Sequence, residues 1–170
     1  MKLNLGCNTR IRDGYINIDK DKYLGVDETM DISDLSRYPD DSVEEIYASH
    51  ILEHFSHKRT LDILKEWYRV LQPGGMLKIS VPDFRRAVEI YLKTGMADWI
   101  TYFLWGDQLY DGADHRQGFD EGRLRKYLEN AGFTDITRVE TLPGAQNNEC
   151  SMNVSNIDYK LVSLNMLAVK

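Results

Sequence analysis

The fold is decided by the stretch KEWYRVLQPGGMLKISVPDF, residues 65–84. Its first part closes a helix predicted over 58–71, in which apolar residues recur at helical spacing, namely Leu61, Leu64, Tyr68 and Leu71. Pro73, Gly74 and Gly75 end that helix, and 76–81 then reads as a buried strand that Pro82 closes. A helix followed directly by a buried strand predicts an α/β protein.

Shorter patterns on both sides of this stretch extend the same alternation. Strands are predicted at 2–6, 15–19, 28–30 and 43–49, and again at 134–142 and 159–169. Helices are predicted over 84–93 and 121–130, capped by Asp83 and Asp120. The interleaving predicts a mostly parallel sheet, and the two adjacent last strands predict one antiparallel edge.

The first crossover is unusually short. Only residues 7–14 separate the first two predicted strands, whereas a parallel crossover ordinarily takes about 10–12 residues. Either the first crossover helix is reduced to about one turn, or the first strand pair is misassigned.

Length and charge narrow the classes of function. A chain of 170 residues favours a single domain over 1–170. Lys and Arg total 21 against 27 Asp and Glu, and no basic stripe is present, so we expect no nucleic-acid partner. Neither a signal peptide nor an apolar run of about 20 residues is found, so we expect a cytoplasmic protein without a membrane partner. Cys7 and Cys150 are expected to be free thiols.

The predicted topology locates a ligand site without reference to any motif. In an open parallel sheet, ligands bind at the carboxyl ends of the strands, near the switch in strand order. Those ends fall at 6–8, 19, 31–32, 49–50 and 81–83. Asp19 and Asp31 end successive strands behind a glycine turn, and a carboxylate after the second strand suits a pair of ribose hydroxyls.

Five segments together resemble the class I S-adenosylmethionine-dependent methyltransferases, and most closely a small branch similar to methyltransferase type 11. The segments are LNLGCN at 3–8, YINID at 15–19, DSVEEIYASHILEHF at 41–55, residues 65–84, and GFDEGRLRKYLENAGF at 118–133. The resemblance implies a Rossmann-like seven-stranded sheet whose last strand is antiparallel, with S-adenosylmethionine as cofactor. It also implies nine cofactor-binding residues: Asn4, Gly6, Cys7, Asn8, Asp19, Asp31, Ile32, Ser49 and His50.

By this resemblance, the turn at 6–8 lets backbone amides approach the methionine part of the cofactor. Asn4 stands where many relatives carry an acidic residue, and Asn8 replaces the second glycine of G-x-G. Asn tolerates left-handed backbone better than most residues, so the turn can survive. Its side chain could still crowd the cofactor, which leaves a degenerate fold acting as a non-catalytic binding module or partner subunit as an alternative.

The remaining implied roles follow the strand ends. Asp19 would bind the ribose hydroxyls, and Asp31 with the Ile32 backbone would hold the adenine edge. Ser49 and His50 would face the methionine carboxylate, the sulfonium and the bound acceptor.

The segment at about 84–119 is predicted to be a helical, aromatic-rich insertion that selects the acceptor. It holds eight of the eighteen aromatic residues, of which Trp99 and Phe103 are expected in a small core. Its polar tail, 106–121, is a candidate lid. We expect a small-molecule or sugar-containing acceptor, methylated at oxygen.

A hydroxyl acceptor calls for a base. His115 with the adjacent Asp114 is the leading candidate by chemistry, and Asp111, Tyr110 and His50 are weaker ones.

A rival motif overlaps the fourth strand end. His50-Ile51-Leu52-Glu53-His54 matches H-x-x-E-H and would indicate a zinc hydrolase using His50, Glu53 and His54. That hypothesis requires His50 to be helical, whereas 43–49 runs into it as a strand. A third ligand, Glu66 or His115, would also be needed.

Overall fold

The computed structural model describes residues 1–109, 112–146 and 162–170. Its strands are β1 (Lys2–Leu5), β2 (Ile16–Asp19), β3 (Glu28–Thr29), β4 (Val43–Ser49), β5 (Leu71–Pro82), β6 (Thr134–Val139) and β7 (Ser163–Val169). Its helices are α1 (Thr60–Val70), α2 (Phe84–Thr94), α3 (Ala97–Trp105) and α4 (Glu121–Ala131), with a 3-10 turn over Leu52–His54. None of the helices among the described residues has the length and apolar character needed to cross a membrane.

The strands form one seven-stranded sheet in the order β3-β2-β1-β4-β5-β7-β6. β7 runs antiparallel to both of its neighbours, and the other strand pairs are parallel. The predicted mostly parallel α/β sheet is therefore confirmed. The predicted antiparallel pairing of the last two strands is also confirmed, with β7 inserted between β5 and β6 at this edge of the sheet. The connection from β5 to β6 carries three helices and leaves a gap one strand wide, which β7 fills.

The helix boundaries follow the predicted caps. Asp83 and Asp120 accept hydrogen bonds from the backbone N–H groups of Arg86 and Arg123 in the first turns of α2 and α4. α1 ends at Val70, so residues 73–75 do not stop the helix but belong to the start of β5. The register between β4 and β5 shifts there, which accommodates the extra residues.

The core lies on both faces of the sheet. α1 and α4 cover one face, where Tyr68 and Phe133 pack edge to face with ring centroids 5.2 Å apart. On the opposite face, the Arg12 guanidinium lies 3.4 Å from the centroid of the Tyr47 ring. Arg12 Nη1 also donates to the Gly144 carbonyl at 2.6 Å, which ties the first crossover to the chain after β6.

The first crossover, residues 6–15, contains no helix, and yet β1 and β2 pair in parallel. Two buried amides hold it instead. Asn4 Nδ2 donates to the Arg10 carbonyl at 2.9 Å and to Asn17 Oδ1 at 2.8 Å. Asn17 Oδ1 also accepts from the Arg12 N–H at 2.8 Å. Side-chain hydrogen bonds between β1 and β2 therefore fix a crossover that is too short for a helix.

Asn4→Asp places at this position the acidic side chain that the family resemblance associates with it, and we expect it to destabilise the fold. The carboxylate lacks both donors, so the Arg10 carbonyl and Asn17 Oδ1 each lose a hydrogen bond in a buried site. An expected loss of about 2 kcal/mol in the free energy of unfolding can be measured by urea denaturation. An unchanged free energy would show that Asn4 does not hold the crossover.

Candidate active site

A cavity of about 610 Å³ opens at the carboxyl ends of β1, β2 and β4. This is the point where the strand order switches, because β1 lies between β2 and β4. The nine residues that the sequence assigned to the cofactor all line this cavity: Asn4, Gly6, Cys7, Asn8, Asp19, Asp31, Ile32, Ser49 and His50. Their contacts with the cofactor stay predictions.

The glycine turn lies at the bottom of the cavity. Gly6 has φ +66°, and a Cβ added there would lie 2.4 Å from Ile51 Cγ1. Asn8 adopts φ +47°, so the turn keeps its left-handed geometry without a second glycine. The amides of Gly6 and Cys7 donate to the Ile18 carbonyl at 2.8 and 3.1 Å. These amides are thus engaged with β2 rather than directed at the cavity.

Cys7 has a thiol that stays protonated at neutral pH. Burial and, to a smaller extent, the nearby Asp19 carboxylate together raise the pKa of the Cys7 thiol to about 11. The side chain therefore contributes a small apolar wall and no nucleophile.

Asp19 is held in one orientation by backbone donors. Its Oδ2 accepts from the Asn8 N–H at 2.8 Å and its Oδ1 from the Asp21 N–H at 3.0 Å. A carboxylate oxygen has more than one acceptor site. Both oxygens can therefore accept hydroxyl groups from a ligand while the turn holds them in place.

Asp31 and Ile32 form the wall at the β3 end. Asp31 is exposed, and its Oδ1 accepts from the Ser33 N–H at 2.9 Å. The Ile32 carbonyl accepts from Trp67 Nε1 at 2.9 Å, and the Ile32 side chain is buried. Trp67 thus anchors this wall to α1.

Ser49 and His50 end β4. The Ser49 hydroxyl is buried and has no hydrogen-bond partner among the described residues. His50 has φ +53° and lies at the strand end rather than in a helix. Its Nε2 lies 2.8 Å from Ser163 Oγ and its Nδ1 lies 3.2 Å from Glu53 Oε1.

The helical zinc motif predicted as a rival is therefore not formed, because His50 and His54 do not share a helix face. Glu66, one suggested third ligand, lies elsewhere and pairs with Arg69 at 2.8 Å.

Glu53, which does not line the cavity, is a buried acidic residue next to His54 in the chain. Glu53 is fully buried, and the rings of His54 and His115 meet edge to face with centroids 4.8 Å apart. Burial raises the pKa of the Glu53 carboxyl, but the close contact with His50 and the nearby His54 and His115 lower it by more, so the net direction is downward. Burial lowers the pKa of His115.

His115 and Asp114 do not line the cavity, and Tyr110 and Asp111 lie outside the described residues. Asp114 pairs with Arg116 at 3.0 Å, and this hydrogen bond lowers the pKa of the Asp114 carboxyl. Neither residue is therefore part of the cavity wall, whereas His50 is.

Within 84–119, the described residues that line the cavity are Gly112 and Arg116. Trp99 and Phe103 stack with centroids 5.1 Å apart in a separate apolar cluster, in which Phe103 is a buried core residue as predicted and Trp99 is partly buried against it. Sequence reasoning missed a set of basic residues on the cavity wall: Arg10, Lys20, Arg59 and Arg116. Only Arg10 carried a signal, since it lies two residues after the glycine turn at 6–8.

Known methyltransferases are similar to this chain in sequence over part of its length and in fold. A family model described as a methyltransferase domain matches residues 11–79. A SAM-dependent methyltransferase from Archaeoglobus fulgidus shares the fold with a TM-score of 0.64 and 15% identity, over 99% of this chain and 85% of that one. No curated protein sequence matches the chain significantly.

Two further solved structures have similar scores. A possible histamine N-methyltransferase from Thermotoga maritima has a TM-score of 0.63 and 16% identity, over 99% of this chain and 81% of that one. The Burkholderia thailandensis 1,6-didemethyltoxoflavin-N1-methyltransferase, solved with its substrate and S-adenosylhomocysteine, has a TM-score of 0.60 and 16% identity, over 99% and 70%. At these identities the likeness establishes the fold.

Proposed function

We propose that the chain is a class I S-adenosylmethionine-dependent methyltransferase that methylates a hydroxyl of a small-molecule or sugar-containing acceptor, a proposal supported by the match of residues 11–79 to a methyltransferase-domain model and by the shared fold. The observation that carries the proposal is the cavity at the strand-order switch, which gathers nine residues from four strand ends. Its volume of about 610 Å³ lies within the roughly 300–1,000 Å³ of ligand pockets.

The residues present fit the cofactor. Ser49 offers a buried hydroxyl without a partner among the described residues, and the oriented Asp19 carboxylate can accept a pair of ribose hydroxyls. Asp31 and the Ile32 side chain form the wall proposed for the adenine. When bound, S-adenosylmethionine supplies an electrophilic methyl group on a sulfonium.

The acceptor is proposed to bind on the wall beyond Ser49 and His50. Methyl transfer is an in-line displacement, so the main task of the protein is to align the acceptor atom with the methyl carbon. Arg59 and Arg116 reach this cavity from outside the sheet, and their donors suit the oxygen atoms of a polar, sugar-like acceptor. The neighbour that methylates 1,6-didemethyltoxoflavin is a precedent for a small-molecule acceptor.

The three candidate bases are proposed to act at different distances from the acceptor. His50 lines the cavity and would touch it. His115 packs on His54, and Asp114 pairs with Arg116, so each would act through a residue of the wall. We therefore propose His50 as the contact residue and the other two as positioning residues.

Transfer of labelled methyl from S-adenosylmethionine to a panel of acceptors tests this proposal. The panel contains glycosides, phenols, small amines, a protein extract and RNA. We expect label in hydroxyl-bearing small molecules, unchanged by His57→Gln, since His57 is exposed and outside the cavity. Label confined to amines would overturn the oxygen assignment. Cofactor binding with no transfer to any acceptor would favour a non-catalytic module.

A further inference from the structure

A compact group of potential metal ligands lies against the cavity wall. It consists of Glu53, His54 and His115, whose ligand atoms, one from each side chain, lie within 4.8 Å of one another. His54 lines the cavity, whereas Glu53 and His115 lie behind it. The proposed methyl transfer assigns no role to these three side chains as a set.

Glu53 is the member that most requires a partner. The residue is fully buried, and neither of its carboxylate oxygens accepts a hydrogen bond from the part of the chain that the structure describes. The closest approach recorded is His50 Nδ1, 3.2 Å from Oε1. Burying a carboxylate is costly by several kcal/mol unless a cation or hydrogen-bond donors compensate it. Both Glu53 oxygens therefore keep acceptor positions that a bound cation could occupy.

The two imidazoles are oriented as metal ligands usually are. His54 Nδ1 lies 3.1 Å from the Asp114 carbonyl, and His115 Nδ1 lies 3.1 Å from the Phe103 carbonyl. A carbonyl oxygen can only accept, so each Nδ1 carries the proton and Nε2 of the neutral ring holds a lone pair. Metal-bound histidines typically donate their other ring N–H to a backbone carbonyl or carboxylate in this way.

We infer that Glu53, His54 and His115 form a binding site for a divalent transition-metal ion of the zinc type. Two imidazoles and one carboxylate are a common zinc ligand set, which leaves a fourth position for water or substrate. Tetrahedral zinc with bonds of about 2.1 Å holds its ligand atoms roughly 3.4 Å apart. From the observed limit of 4.8 Å, the side chains close by at most about 1.4 Å.

This site differs from the H-x-x-E-H motif of the sequence. His50 is not a ligand, because its Nε2 pairs with Ser163 and its backbone, at φ +53° directly after β4, is not helical. The third ligand, His115, comes from the loop before α4. The fold brings this loop to the 3-10 turn through the hydrogen bond from the Arg116 N–H to the Glu53 carbonyl at 2.8 Å.

Titration of metal-free protein with Zn²⁺, in competition with a chromophoric chelator, tests the inference. We expect one zinc per chain, and at least tenfold weaker binding for His54→Gln and for His115→Gln. His57→Gln is the matched control, because His57 is exposed and outside the group, and its affinity is expected to equal that of the wild type. Absence of stoichiometric binding to the folded wild-type protein overturns the site, as does an equal loss in His57→Gln.

Two readouts on the wild-type protein hold even if a variant fails to fold. Zn²⁺ is expected to raise the melting temperature, since an ion that binds only the native state stabilises it. Co²⁺ in place of Zn²⁺ is expected to give the intense visible bands of a four- or five-coordinate site. A weak spectrum like that of hydrated Co²⁺, with an unchanged melting temperature, would contradict the inference. Neither readout depends on methyl transfer, so the site and the proposed activity fail separately.

Discussion

Asp19→Ala is expected to weaken binding of S-adenosylhomocysteine about 100-fold. The carboxylate is nearly buried and is oriented by the amides of Asn8 and Asp21. Losing two hydroxyl contacts to a charged acceptor removes about 3 kcal/mol, and each 1.4 kcal/mol is a factor of ten in affinity. Isothermal titration calorimetry measures the difference directly.

Asp21→Asn is the matched control for this substitution. Asp21 lines the same cavity and its replacement also removes one negative charge, but its side chain is half exposed and lies 3.9 Å from Lys20. Its affinity for S-adenosylhomocysteine is expected to stay within about threefold of the wild type, as usual for an exposed charge. Equal losses in both variants would mean that overall charge, rather than the orientation of Asp19, governs binding.

Gly6→Ala is expected to lower the free energy of unfolding by about 3 kcal/mol. Left-handed backbone at φ +66° costs a residue with a Cβ about 1 kcal/mol. The added Cβ also meets Ile51 Cγ1 at 2.4 Å and Ile51 Cβ at 2.9 Å, and overpacking of this kind costs roughly 1–3 kcal/mol. The melting temperature is expected to fall by about 6–12 °C.

Gly14→Ala separates the cost of the left-handed backbone from the cost of the clash with Ile51. Gly14 lies in the same crossover with φ +81°, but nothing lies within 4 Å of a Cβ added there. Its loss of stability is expected to be about 1 kcal/mol, the backbone contribution alone. In the Ile51→Ala background, where the clash is removed, Gly6→Ala should cost only about the 1 kcal/mol of the backbone contribution. Equal effects of Gly6→Ala and Gly14→Ala would show that Ile51 does not confine the turn.

The parts of the fold that depend on local patterns could be predicted from the sequence. The strand at 43–49 and the caps at Asp83 and Asp120 agree with the structure, because alternation and capping are decided by neighbouring residues. The position of β7 could not be predicted. It depends on where the chain from β5 to β6 places β6 relative to β5, and no local sequence pattern reports that long-range arrangement.

The short first crossover could also be predicted only in part from the sequence. The sequence revealed that it was too short and left two explanations open. The structure shows a true parallel pair held by Asn4 and Asn17. Such a pairing between side chains of two strands has no periodic signal, because Asn is also an ordinary turn residue.

Some residues of the candidate site could likewise be predicted from the sequence, and others could not. Residues at strand ends were predicted to meet, since parallel strands end at one edge of the sheet. Loop residues were harder to place. Arg59 and Arg116 line the cavity although no sequence pattern predicted it. His115, the leading base by chemistry, does not line the cavity and packs against His54 instead. The path of the loop before α4 depends on long-range contacts such as Arg116 with Glu53.

The central claim is that the cavity between β1, β2 and β4 holds the methyl donor. Calorimetric titration of the purified wild-type chain with S-adenosylmethionine and with S-adenosylhomocysteine tests it most directly. We predict one site per chain with a micromolar dissociation constant for at least one of them, weakened about 100-fold in Asp19→Ala. A folded wild-type protein that binds neither compound at millimolar concentration would contradict the account.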